Sequence, residues 1–308
     1  MVIDAHLSEK THVTGDVLCR DVADYREMET YLAKADAGRA RALAATESPF
    51  TIEIRFVGGL TDTQQAAFAR AGDRWAHVIV GDLPDIEVDG ELIDDVLILA
   101  QGQAIDGVGH ILGQAGPTHA RRAADGTWQQ PCKGTMSFDT ADLAQMETAG
   151  TLLDVITHEM GHVIGIGSMW GLMGLVSPPP DDPDALVNPV FNGPVAMAQY
   201  GALLAGGAPQ PVPVENQGGA GTARVHWRES VFANELMTGF VGAAGNPLSK
   251  VTVGSLADMG YQVDLDAADP YTLPDLLSLA QAGVLFTHAA PIDHGIVLPT
   301  IPLPVSSK

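Results

Sequence analysis

The sequence predicts an α+β fold: an N-terminal lobe with a mixed twisted sheet and one central helix, then a lobe of loops and short helices. Two observations predict the first lobe. FTIEIRFV (50–57), LIDDVLILAQ (92–101), GHILGQAG (109–116) and GTMSFDTADL (134–143) are strand-like runs bounded by Gly, Pro and Asp. Between and after them come stretches with apolar residues at helical spacing. The second lobe is predicted by composition, since SPPPDDPDALVNPVFNGP (177–194) and GGAPQPVPVENQGGAG (206–221) are too rich in Pro and Gly for long elements.

Taken in order, residues 1–49 form a polar, charged N-terminal extension that leans helical around DYREMETYLAKADAGRARALAA (24–45) and breaks at Pro49. Residues 50–165 form the sheet-bearing lobe. Its first helix follows Thr61 or Asp62 as N-cap, with Ala66, Phe68, Ala69 and Trp75 at helical spacing. The central helix is expected at about 152–164 in TLLDVITHEMGHVIG, with Thr151 and Asp154 resembling a capping box and Gly165 suited to a left-handed end. Residues 166–263 are the loop-rich lobe, and 264–308 a C-terminal tail. No internal repeat is visible.

Composition narrows the function classes. With 38 acidic residues against 16 Lys and Arg, the formal charge is −22, which repels phosphate backbones and anionic lipid surfaces. Nucleic acid is therefore not an expected partner. No run approaches the roughly 20 apolar residues of a membrane span, because GIVLPTIPLPV (295–305) is short and broken by proline. The start lacks a secretory apolar core. Two cysteines, Cys19 and Cys132, could form one disulfide but no Cys-based zinc cluster, and leave the redox compartment open.

The central helix carries the chemistry. HEMGH places His158 and His162 four residues apart on one helical face, where both imidazoles can reach one ion, with Glu159 beside it. A catalytic zinc takes three protein ligands, so a third must come from elsewhere. The metzincin pattern HExxHxxGxxH would place it at position 168, which is Ser168, although Gly165 keeps the general layout. Read from residue types alone, the third ligand stays open among the other histidines, with Glu229 or Glu235 as carboxylate alternatives.

The stretch GGAGTARVHWRESVFANELMTGF (218–240), with a His eleven residues before a Met, resembles the third-ligand and Met-turn region of the leishmanolysin family, a metzincin branch. VTVGSLADMGYQV (251–263) resembles the end of that family's catalytic domain, so the similarity runs from about residue 50 to 263. The resemblance implies a metzincin-like zincin with His226 as third ligand of a single catalytic Zn2+. It implies Met237 as the Met-turn residue, packing beneath the metal without touching it. Gly239, two residues on, excludes the tyrosine ligand of some metzincins. The implied activity is a zinc-dependent endopeptidase acting on protein or peptide substrates through a metal-activated water, with Glu159 as general base; the implied setting is extracellular, with the cytoplasm as the alternative. The alternatives are a catalytically silent binding module of the same fold and a zinc hydrolase acting on other substrates.

Three further features are expectations of lower rank. Residues 107–116, including His110, are a candidate sheet edge for holding an extended peptide. Cys19 could serve as a latency thiolate on zinc, or pair with Cys132. The acidic loops DDPD (181–184) and DLDAAD (264–269) could take Ca2+ but lack EF-hand spacing, so calcium has no support. Oligomeric state is not legible.

Overall fold

The computed structural model describes residues 28–109, 113–219, 221–239, 244–275 and 301–306. Its sheet has the order β1-β2-β5-β7-β6-β11. β2 (Thr51–Gly58), β5 (Val96–Gln103) and β7 (Trp128–Asp139) run parallel, and β6 (Gly113–Arg122) lies antiparallel to β7. β1 (Thr30–Lys34) pairs antiparallel with β2, and β11 (Leu303–Ser306) pairs parallel with His119–Arg122 of β6. The mixed sheet is as expected.

β1 occupies the middle of the stretch read as helix-leaning, which among its described residues reaches helical geometry only at α1 (Ala37–Arg39) and the turns following it to Ala44. The free edge of β2 offers five residues a ladder, and fully buried Ala33 joins the core beneath it. That tertiary pairing outweighs the weak local preference for helix.

α2 (Asp62–Val78) starts at Thr61, where a capping box with Gln64 satisfies the first amides, and buries Phe68, Ala71 and Trp75 against Ile52 and Ile54. Val96, Leu97 and Ile98 in β5 are all buried because both faces of the sheet are covered. On the far face the hairpin of β3 (Ile86–Val88) and β4 (Glu91–Ile93) turns through Asp89-Gly90 and lays Ile86, Val88 and Ile93 over Leu97 and Cys132.

β7 leads into α3 (Thr140–Ala149), capped by Asp139 and closed by Gly150, and then directly into α4 (Leu152–Val163). With the C-cap of α3, Gly150, directly before it, Thr151 sits at helical angles and its side chain makes no cap bond. Asp154 instead accepts the amides of Gly245 and Asn246.

The second half has short elements, as its composition requires. β8 (Val176–Ser177), β9 (Val190–Phe191) and β10 (Val212–Pro213) form a small sheet, flanked by α5 (Pro194–Leu203), α6 (Glu229–Phe232) and α7 (Lys250–Asp258). Trp170, Phe191, Trp227 and Phe232 pack ring on ring at its centre, Phe191 edge to face on Trp227 and the other pairs tilted, and continue the core cluster of the first lobe.

Candidate metal centre

α4 is buried almost throughout, with Ile156, Met160 and Val163 in the core and Trp75 Nε1–H donating to the carbonyl of Thr157 at 2.9 Å. Its three-four periodicity puts His158 and His162 on one face. The helix ends at Gly165, whose φ of +111° suits only glycine and whose Cβ would lie 2.5 Å from Met259 Cε. That turn brings the carbonyl of Ile166 back beneath His162, whose Nδ1–H donates to it at 2.8 Å. Ser168 donates to the carbonyl of His162 at 2.6 Å, so the position of the short-spacing third histidine closes the helix end instead.

His226 arrives from 64 residues downstream of His162 and completes a triangle: the Nε2 atoms of His158, His162 and His226 stand 3.1, 3.1 and 2.9 Å apart. All three rings are buried. Each Nδ1 faces a backbone carbonyl: Leu236 O at 2.6 Å from His158, Ile166 O at 2.8 Å from His162, and Thr222 O at 3.0 Å from His226. A carbonyl only accepts, so each Nδ1 carries the proton and each Nε2 presents a lone pair to the other two. Three lone pairs at this spacing repel one another unless a cation lies among them. Tetrahedral zinc with Zn–N bonds of about 2.05 Å would set such atoms about 3.3 Å apart, so the residues present fit the ion. Burial, with the neighbouring imidazoles adding to it, holds the His158 pKa well below the ordinary histidine value, and burial lowers that of His226 to about 4. Both rings are thus neutral, the form a metal needs, at physiological pH.

Glu159 is fully buried next to His158. Met237 is also buried; a Cβ added at Gly161 would sit 2.8 Å from its sulfur, which places the Met side chain directly against the HEMGH turn of α4. Gly239 lies against Thr222 and the His226 ring.

The carboxylate alternatives for the third position are corrected by this geometry. Glu235 is consumed below the site, accepting from Met237 N–H, Ser249 N–H, Ser249 Oγ–H and Thr252 Oγ1–H. Glu229 lies at the start of α6, where burial pushes its carboxyl up to about 7, and belongs to no metal-competent group among the described residues. In the tail loop, Asp264 pairs with Arg39, Asp266 with Lys250 and Asp269 with Arg74. Cys132 is a buried free thiol, whereas Cys19 and His110 lie outside the described residues.

Two buried acids shape the site in ways that residue types did not indicate, Glu235 having been offered only as a rival ligand. Glu215 folds the loop before His226, accepting from the amides of Asn216, Gln217 and Glu229, while its own N–H donates to His226 O at 2.9 Å. Glu235 is the other. Their only signal is a carboxylate within an otherwise uncharged, turn-rich stretch, which is equally what a surface loop looks like.

A mixed sheet with antiparallel strands on either side of three parallel ones, packed on a helix whose two histidines meet a third from a loop-rich lobe, is a metzincin-like zincin fold. The chain belongs to the leishmanolysin family of peptidases: the family model, described as Leishmanolysin, matches residues 124–277, half of the 308-residue sequence. Similar curated proteins include a leishmanolysin homolog of Crithidia fasciculata, 26% identical over 136 residues, 43% of this chain and 20% of that protein. The leishmanolysin of Leishmania tropica is 28% identical over 141 residues, 45% of this chain and 21% of its own length. The match thus spans about a fifth of those relatives. Membership points to a metallopeptidase.

Proposed function

We propose that the chain is a zinc-dependent endopeptidase, with His158, His162 and His226 holding one ion and Glu159 acting as general base. The observation that carries this reading is the set of three Nε2 lone pairs facing each other within 3.1 Å, each ring pinned by a carbonyl on its other nitrogen. When bound, zinc polarises the scissile carbonyl and brings the pKa of a coordinated water towards about 7. Glu159, held in the buried wall beside His158, takes the proton of the attacking water and returns it to the departing amine. The carbonyls of Leu236, Ile166 and Thr222 fix the imidazole tautomers throughout. Met237 supports the floor by packing, and Gly165 makes the turn that orients His162.

Protein or peptide substrates follow from the peptidase family and from β6. Among the described residues, β11 pairs with His119–Arg122 and none pairs with the outer side of Gly113–Pro117, the stretch we assign to an extended substrate chain. A Cβ added at Gly134 would approach both Gly116 O, at 2.7 Å, and Val163 Cγ1, at 2.5 Å, which sets this part of β6 beside the last turn of α4. We place the catalytic unit at residues 50–263, with β1 of the 1–49 extension and β11 of the 264–308 tail adding strands to its sheet. Action outside the cell is the setting the family resemblance implies; no described helix is long and apolar enough to cross a membrane.

The test is metal content together with casein hydrolysis in the presence and absence of a chelator. Wild type should carry about one zinc and lose hydrolysis on chelation; Glu159→Ala should keep zinc and lose hydrolysis by at least about 10²-fold; His226→Ala should lose zinc. Hydrolysis by Glu159→Ala at the wild-type rate would overturn the mechanism. A wild type that binds zinc without cleaving protein would leave a binding module or another hydrolase.

A further inference from the structure

We propose that Glu235 is a positioning residue for the metal site, fixing His226 through Thr252 and Trp227 and fixing His158 through the turn at Leu236. The inference rests on the reading of the three histidines as zinc ligands. Glu235 is fully buried, and four donors converge on its two oxygens. Oε2 accepts from Met237 N–H at 2.7 Å; Oε1 accepts from Ser249 N–H at 3.0 Å, Ser249 Oγ–H at 2.7 Å and Thr252 Oγ1–H at 2.5 Å. Only an ionised carboxylate offers acceptor sites, and no donor, to four such groups.

Two routes lead from this carboxylate to the site. Thr252 Oγ1, once it has given its proton to Glu235, has lone pairs left and accepts from Trp227 Nε1–H at 2.7 Å. Trp227 follows His226 directly, and its own N–H donates to Met237 O at 2.9 Å. The second route is the turn itself. The bond from Met237 N–H to Glu235 sets the peptide whose oxygen is Leu236 O, the acceptor for His158 Nδ1–H at 2.6 Å. One buried acid therefore holds both the carbonyl that orients His158 and the residue that follows His226, although the two rings come from parts of the chain 68 residues apart. A competing account is that Glu235 only stabilises the N-terminus of α7, where Ser249 is the cap.

The two accounts separate at the Thr252 hydroxyl, which links to Trp227, whereas the cap uses only the Thr252 backbone N–H. Zinc affinity by chelator competition, the visible spectrum of the Co2+-substituted protein and thermal midpoints would be measured for wild type, Glu235→Gln, Thr252→Val, Thr252→Ser and Val88→Ala. Glu235→Gln turns an amide NH2 toward a donor, and Thr252→Val cuts the relay. Each should weaken zinc binding roughly tenfold or more and shift the cobalt bands, with Thr252→Ser restoring both. Val88→Ala, in the cluster on the far face of the sheet, should lower the midpoint and leave affinity unchanged. Zinc affinity within about twofold of wild type and an unaltered cobalt spectrum in both Thr252→Val and Glu235→Gln would overturn the inference. Wild type that takes up no zinc would instead overturn the metal-site reading, and this inference with it.

Discussion

Alanine at Gly167 would strike the seam between the two halves of the site. Gly167 has φ +73°, and a Cβ there would lie 1.9 Å from Val225 O and 2.7 Å from Val225 C. The left-handed conformation costs a non-glycine residue about 1–2 kcal/mol. The clash is with backbone, which cannot rotate away, so the Val225 peptide must retreat by roughly 1 Å; overpacking of that kind costs about 1–3 kcal/mol. A loss of about 2–5 kcal/mol is expected, a large share of the roughly 5–15 kcal/mol that a domain possesses. Since Val225 precedes His226, the displacement also carries the ring away from its two partners. Urea unfolding should show the midpoint lowered at constant slope, and chelator competition should show weaker zinc binding. A midpoint shift worth less than about 1 kcal/mol with wild-type zinc affinity would refute the claim that this contact seats His226.

Other consequences follow from buried polar groups. Arg121 is 2% exposed and donates to the carbonyls of Pro84, Asp94, Asp95 and Pro131, so Arg121→Ala should cost about 3 kcal/mol or more by denaturant unfolding; a loss under about 1 kcal/mol would contradict it. The Asp139 carboxyl is opposed by burial but drawn down to about 2 by the amides of Ile105, Gly107, Ala141 and Asp106. A depressed folded pKa stabilises above the unfolded value near 4 and is lost as pH falls towards 2. The stability gap between wild type and Asp139→Asn should therefore narrow across that range, and a constant gap would exclude the assignment. Burial pushes the Cys132 thiol up to about 11, so it should resist iodoacetamide in the native state and react on unfolding; rapid native labelling would contradict its burial.

Local chemistry in the chain was enough to read β2, the body of β5, parts of β6 and β7, α2 with its Thr61 cap, α4 and the pairing of His158 with His162, because each depends on residues within one or two turns of one another, whereas α3, read as a turn after 134–139, and β11 were not read. Thr30–Lys34 was misread for the opposite reason, since its strand exists only because β2 offers an edge 21 residues further on. The same limit governs the site. Spacing could say that a third ligand was needed, and resemblance pointed to His226, but residue types left Glu229 and Glu235 as rivals. Only the folded chain separates them, by spending Glu235 on four donors and closing a 64-residue excursion so that His226 meets His162. Periodicity records which way a side chain points along its own element; which distant groups then surround it is decided by packing, where a buried carboxylate must find donors or not be buried at all.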